Sequence, residues 1–280
     1  MFEVTILEDS ITQQDIRLVT YQLKYPRYIH AELMTHRVFS RNASSSRAIP
    51  TNKLAEVSMT EMVEPIRWGL NQPGMQASEQ DLTGGALSEA KRIWKETAET
   101  CAIASRKLAE LGLHKQWSSR MLEWFGNINV VLSSTEWGNW DLLRNHPDAQ
   151  PEIHHLAGLM IDARYYSKPK FLTPGQWHLP YITAIEKEAY SLNTLSKVSA
   201  ARCARVSYLR HDGGTCDVDD DLKLYTRLAG AHPKHLSPTE HQATPDQAII
   251  VGDEVTAWRN QALHGNFNGW CQFRKYIEND

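Results

Sequence analysis

The chain has 280 residues, a formal net charge of −3 and a hydrophobic fraction of 41%, with nine tryptophans and ten tyrosines. That content supports a sizeable core and excludes a disordered chain, and the near-neutral balance excludes broad coating of polymeric nucleic acid, which needs an extended basic surface. No stretch approaches the length of a membrane span, the N-terminus MFEVTILEDSITQQD lacks a signal peptide's apolar run, and Cys101, Cys203, Cys216 and Cys271 form no CxxC pair or disulfide framework, so a soluble cytoplasmic protein is expected.

Residues 2–7 (FEVTIL) and 17–23 (RLVTYQL) read as strands, short runs rich in β-branched and aromatic residues, with Pro26 ending the second. Residues 27–36 read as a short helix carrying Tyr28, Ile29, Leu33 and Met34 inward. Residues 51–85 are mixed, with NQPG and TGG as turn signals. Leu87, Ala90, Trp94, Ala98, Cys101, Ser105, Leu108 and Leu111 then recur at helical spacing up to Gly112, with Cys101 as a core thiol. Ser133-Ser134-Thr135-Glu136 fits a capping box for a helix running to about Arg144. Pro151-Glu152 opens another, whose inward stripe is Ile153, Leu156, Met160 and Ala163. The three prolines of residues 167–181 indicate an extended connection. A helix is expected from about Leu195 through ARCARVSY, and another from about Leu222 to Ala229. No repeat or low-complexity tract interrupts the chain.

The run THRVFSRNASSSR, residues 35–47, concentrates three arginines, a histidine and four serines. The planar fork of arginine matches phosphate oxygens, and small hydroxyl residues let backbone approach an anion, so Arg37 and Arg47 with the serines suit a phosphate. On chemistry alone a solvated surface loop fits this composition equally well.

The spacing of polar residues resembles that of the flavin-dependent thymidylate synthases. Their Arg-His-Arg, seven residues, Ser, then Arg two places on is matched by Thr35-His36-Arg37, Ser45 and Arg47, with Ser40 and Asn42 on intermediate positions. A second segment resembles the family's Asn-x-x-x-x-Arg and Ala-Gln-x-Glu-Ile through Asn139, Arg144, Ala149, Gln150, Glu152 and Ile153, and Ser119-Arg120 resembles its upstream Ala-Arg. A third is out of order: Arg205, Val206, Ser207 and Tyr208, followed by His235, Ser237, Pro238, Glu240 and His241, resemble motifs that precede the arginine-rich run in the family but follow it here. The order implies a circular permutation, which folds tolerate where old termini lie close together. The expectation is one domain over 1–280, with an arginine-rich loop in 1–50, a helical region in 86–166 and flavin-side motifs in 198–241.

The resemblance implies an α+β fold, thymidylate-synthase-complementing-protein-like, with a mixed sheet flanked by long helices and active sites formed between subunits of a homotetramer. It implies transfer of a one-carbon unit from methylenetetrahydrofolate to C5 of dUMP, with FAD supplying the hydride and NADPH re-reducing the flavin. Arg144 is the expected catalytic residue, binding the pyrimidine edge and stabilising its developing charge. Glu32, Ser44, Ser45, Arg47 and Arg120 are the implied substrate contacts, Arg120 on the phosphate. His36, Arg37, Asn139, Ser207, His235 and Ser237 are the implied flavin contacts. No membrane partner and no metal are expected: His146, Asp148, His154 and His155 match no zinc spacing, and the acidic run Asp217, Asp219, Asp220 and Asp221 reads as a solvated turn rather than a calcium loop.

Departures from the pattern leave alternatives open. Thr35 replaces the first arginine, Ala43 a glutamate, Ala48 an aromatic residue and Ser133 an asparagine. Glu32 replaces glutamine, and a carboxylate can pair with the N4 amine of cytosine, or else with a neighbouring arginine. A pyrimidine deoxynucleotide hydroxymethylase and a non-catalytic nucleotide-binding homologue are therefore the rival readings. Phe267, Trp270, Phe273 and Arg274 in the aromatic, basic tail would stack on a flat ring or pack against the body.

Overall fold

Two β-rich runs at the N-terminus pair antiparallel as β1 (Glu3–Ile11) and β2 (Arg17–Pro26) in the computed structural model, which describes residues 2–206 and 217–278. Pro26 closes β2 as its missing N–H dictates. The helix expected over 27–36 is only a turn at Arg27–Ile29 and α1 (His30–Leu33). The Thr35 hydroxyl and N–H both donate to the Glu32 carbonyl and tighten the turn there, so Ile29 and Leu33 point inward while Met34 is exposed. The chain continues through β3 (Ser40–Ala43), α2 (Thr51–Thr60), α3 (Gly84–Glu110), α4 (Lys115–Ser118), β4 (Asn127–Ser134), α5 (Gly138–Arg144), α6 (Pro151–Tyr166) and β5 (Lys170–Phe171). The C-terminal part holds α7 (Ala184–Ala189), α8 (Leu192–Ala204), α9 (Val218–Ala229), β6 (Ala243–Pro245), β7 (Ala248–Val251), β8 (Glu254–Trp258), β9 (Trp270–Gln272) and α10 (Phe273–Ile277).

The main sheet has the order β3-β4-β2-β1-β5, antiparallel except for the β1–β5 pair. The fold is α+β: a mixed sheet flanked by helices. Alternation along the strands gives the sheet two faces. Val19, Tyr21, Leu23 and Tyr25 of β2 join Ile128, Val130 and Leu132 of β4 against Trp140 of α5 and Ile153, Leu156 and Met160 of α6. Full burial of each such side chain contributes about 1.5–3 kcal/mol. The other face is partly polar and packs against α8 and residues 178–181 and 237–243.

Several expectations are corrected by this packing. Residues 133–136 form no capping box, because Ser133 and Ser134 end strand β4, whose run NINVVLSS had not been read as a strand, and α5 starts after Trp137 without a side-chain cap. The long helix stands as α3, closed by Gly112 at φ 86°, but Ala98, Ala102 and Ser105 are its buried positions, Cys101 is half-buried and Leu111 is exposed. Helix α6 keeps Pro151 in its first turn and its expected stripe. Helix α8 stops at Ala204, short of the full ARCARVSY segment. The tail packs against the body, with Phe267, Trp270 and Phe273 buried. Among the described residues no helix is long and apolar enough to cross a membrane.

The acidic run is not a solvated turn. Asp217 caps α9 by accepting from the Asp220 N–H, and Asp221 is fully buried. Its two oxygens accept from Arg202 Nε at 2.8 Å and Arg205 Nε at 2.7 Å, tying α9 to α8. Removing one partner of such a pair leaves charges without compensation. Asp221→Ala is therefore expected to lower unfolding free energy by about 3–5 kcal/mol; a loss under about 1 kcal/mol in urea titration would contradict the assignment.

Candidate active site

Two segments that the sequence separates by about a hundred residues meet at the end of α5. Arg144, in the last turn of α5, donates from Nε to His36 Nε2 at 3.0 Å and from Nη1 to Glu32 Oε2 at 3.0 Å. Its Nη2 donates to Thr35 Oγ1 at 3.1 Å and to the Glu32 carbonyl at 3.4 Å. Four of the five guanidinium N–H groups are thus engaged, leaving one on Nη1. The Glu32 carboxylate pairs with Arg144, the simpler of its two sequence-level readings.

The same geometry fixes His36. Accepting from Arg144 makes Nε2 the unprotonated nitrogen. The ring stacks on Phe39 with centroids 5.6 Å apart and meets Trp140 edge-on at 4.9 Å. Burial, and secondarily the Arg144 charge, hold its pKa below the usual imidazole value. His36 is thereby a neutral acceptor that orients Arg144.

Three cavities border the sequence-predicted residues. Glu32 and Arg144 line one of about 540 Å³, with Arg67, Gln76 and Gln150. Arg37 lines a second of about 500 Å³ at the β3 edge, with Phe39, Arg41, Asn266, Gln272 and Arg274 among its walls. Ser44 lines a third of about 210 Å³ beside Arg27 and Glu123. Here the Ser44 hydroxyl accepts from the Asn129 N–H, and Arg120 pairs with Glu123 at 3.0 Å. Ser45 caps the turn after β3 by accepting from the Arg47 N–H, and Arg47 itself is exposed. The expected substrate contacts are therefore not gathered in one cavity: Glu32 and Arg144 line one and Ser44 another, while Ser45, Arg47 and Arg120 line none of the three.

The out-of-order segment does reach the arginine loop. Ser237 Oγ donates to Asn42 Oδ1 at 3.1 Å and lies 3.1 Å from His235 Nε2, while Asn42 Nδ2 donates to the Cys203 carbonyl. His235 and Asn139 are exposed, and neither lines these three cavities; Arg37, Arg144 and His235 thus share no cavity among them. Ser207 lies outside the described residues. His241 is buried, and its Nδ1 lies 2.8 Å from Ser133 Oγ. From Ser133 a chain of contacts runs to Thr20 at 2.6 Å, to His178 Nε2 at 2.8 Å and on to Ser10 at 2.9 Å.

Asp246, His264 and Cys271 place ligand atoms within 4.8 Å of one another, the arrangement among the described residues most like a metal centre. The Asp246 oxygens, however, accept from Gln247 N, from Asn260 N and Nδ2, and from His264 Nε2, all within 2.9 Å. Burial, reinforced by the Asp246 charge, pushes the Cys271 thiol up to about 11, so it is protonated at neutral pH. The cluster is a hydrogen-bonded knot that anchors the loop before β9. Arg41, Asn266, Gln272 and Lys275 were not expected as cavity residues; for Arg41 the signal was the arginine-rich run, and for the other three the basic, aromatic tail.

The chain overlaps in part with two kinds of solved structure. A UMP/dUMP methylase from Streptomyces cacaoi bound with 5-Br dUMP is 13% identical, covering 59% of this chain and 90% of that one, with a TM-score of 0.46. A flavin-dependent thymidylate synthase from Helicobacter pylori, complexed with FAD and dUMP, is 20% identical over 52% of this chain and 67% of that one, with a TM-score of 0.35. No protein-family model matches the chain, and no curated protein does.

Proposed function

We propose that the chain is a flavin- and folate-dependent enzyme that transfers a one-carbon unit from methylenetetrahydrofolate to C5 of dUMP, with NADPH as reductant. The observation that carries this reading is the union of the two motif segments at Arg144, which bonds His36 and Glu32 and lines one cavity with Glu32. Arg144 binds the carbonyl edge of the pyrimidine with the N–H left on Nη1 and with those now on Thr35 and the Glu32 carbonyl. Its fixed positive charge then offsets the negative charge that builds on the ring oxygen as C5 becomes nucleophilic. Glu32 and neutral His36 hold the guanidinium in place, so little reorganisation is required during reaction.

A bound FAD would supply the hydride. Two features fit it: the arginine-lined cavity at the β3 edge suits its diphosphate, and Ser237 on Asn42 sets the His235–Ser237 segment against the same loop. Arg37, Ser237 and His235 are the residues proposed to hold it. The separate cavities are proposed to come together across subunits of a homotetramer. Exposed Leu142 and Leu143 beside Arg144, and exposed Trp117, Trp124, Tyr165 and Tyr166, are apolar surface such an assembly would cover.

The purified protein is expected to be yellow and to release FAD on denaturation. Anaerobic mixtures with FAD, NADPH, methylenetetrahydrofolate and dUMP should yield the C5-methylated product by mass spectrometry. A hydroxymethyl product, heavier by one oxygen, or turnover of dCMP would move the assignment to the rival hydroxymethylase. A colourless protein that ignores added FAD would overturn both.

A further inference from the structure

We infer that the C-terminal segment completes a phosphate-ester site at the β3 edge of the sheet, with Arg274 and Lys275 acting beside Arg37 and Arg41. The motif resemblance assigns neither tail residue a ligand. The inference deepens the function proposed above, but rests on it only for the role of Arg37.

Among the described residues, the cavity of about 500 Å³ is lined by four cations, Arg37, Arg41, Arg274 and Lys275, against the single carboxylate of Glu240. Arg37 and Arg41 have no carboxylate within ion-pair distance among the described residues, whereas Arg274 pairs with Glu240 and Glu278, and Lys275 with Glu278. Arg41 instead donates to the carbonyls of His36 and Phe39, which fixes its guanidinium beside the arginine loop. Such a concentration of positive charge repels itself unless an anion offsets it.

The walls are also built in advance. Gln272 is 2% exposed, and the two N–H groups on its Nε2 are shared among Ser40 Oγ, Asn266 Oδ1 and the Glu240 carbonyl, each within 3.0 Å. Asn266 Nδ2 donates to the Val38 carbonyl, so the tail loop is bonded directly to the arginine loop. Gly265, at φ 64°, lets this loop pass so close to Gln272 that a Cβ would lie 2.3 Å from its Oε1. The Asp246–His264 knot holds the loop from behind. Thr35 removes one arginine from the loop's expected triplet, and the tail brings two cations to the same run of chain.

The test is titration of the full chain with inorganic pyrophosphate, FAD and dUMP, followed by calorimetry. Pyrophosphate should bind, with an affinity that falls as salt rises. Arg274→Gln and Lys275→Gln should each weaken it by about tenfold, the weight of a charge-assisted contact. Glu240→Gln, which removes the one anion among the described lining residues, should tighten it, a gain that misfolding cannot produce. Arg92→Gln, on the exposed face of α3, should leave binding unchanged. If the tail variants weaken FAD but not dUMP, the ester is the dinucleotide's; the reverse assigns it to the nucleotide monophosphate. Pyrophosphate binding that is absent, or indifferent to Arg274, Lys275 and Glu240, would overturn the site even if the enzyme turns over. Binding that behaves as stated in a protein without turnover would uphold the site and reject the reaction.

Discussion

Arg144→Ala is expected to lower turnover about 10²–10³-fold while the protein still folds. The side chain is largely buried, yet its partners are near the surface: Glu32 is 33% exposed and can be hydrated when the arginine is lost. The structural cost should therefore be small beside the chemical one, because the positive charge that faces the ring disappears. Arg144→Lys should recover only part of the rate, since an ammonium cannot reach His36, Glu32 and the substrate with one planar fork. The pH profile supplies an independent readout. Loss of the arginine charge removes one of the two influences that depress His36, so its pKa should move up towards the normal imidazole value while burial still holds it lower. Proton NMR of the His36 ring would show this. An Arg144→Ala protein with wild-type turnover would end the catalytic assignment, and an unmoved His36 titration would end the coupling.

The second large effect is on acid stability. Burial depresses four histidines in the folded chain: His36, His178, His30, which falls to about 4, and His241, which falls to about 3. For His30, Arg27 and Arg41 add to the burial effect. In the unfolded chain each imidazole protonates near 6.5. Between 6.5 and the folded values the unfolded state binds more protons, so stability rises with pH through that window. It is complete above 6.5 and is lost progressively as pH falls towards 4 and below. For His241 alone the displacement corresponds to an upper bound of roughly 4–5 kcal/mol, a large share of a domain's usual margin. The thermal midpoint is expected to be flat near pH 7.5 and to drop steeply below 6. His241→Gln should reduce the steepness by about one proton. A midpoint that stays level down to pH 4.5 would contradict the buried neutral state.

Much of the architecture could be read from residue patterns where a single period dominated. The β-branched and aromatic runs of β1 and β2, the long stripe of α3 and the Pro151 start of α6 are each fixed by local residue type. Legibility failed where tertiary contacts chose between equal local options. Ser133-Ser134-Thr135-Glu136 has good capping chemistry, but pairing of Ser133 with Thr20 across the sheet claims Ser133 and Ser134 for β4. Asp221 looked solvated because its arginine partners lie on another helix. At the candidate site the family resemblance assigned Glu32 and Arg144 to the substrate and His36 to the flavin; in the structure Arg144 bonds both Glu32 and His36. The scatter of Ser44, Arg120, Arg37 and His235 over other surfaces was invisible, since motif order says nothing about which side of a strand faces which cavity. Lys275 was missed, and Arg274 read only as a stacking or packing residue, for the same reason: their relation to Arg37 exists only after β9 pairs with β6 and returns the chain to the loop.

The string of hydroxyls and imidazoles from Ser10 to His241 has a consequence for strand alignment. An apolar sheet face would accept β2 and β4 slid past each other by two residues with modest loss. Here Thr20 and Ser133 must stand opposite, and each must also meet a histidine delivered by a distant segment. A slipped ladder would strand several polar groups in a dry interior at once. The sheet is keyed at one rung, and that rung sets the height at which β3, and the arginine loop on either side of it, meets the rest of the chain.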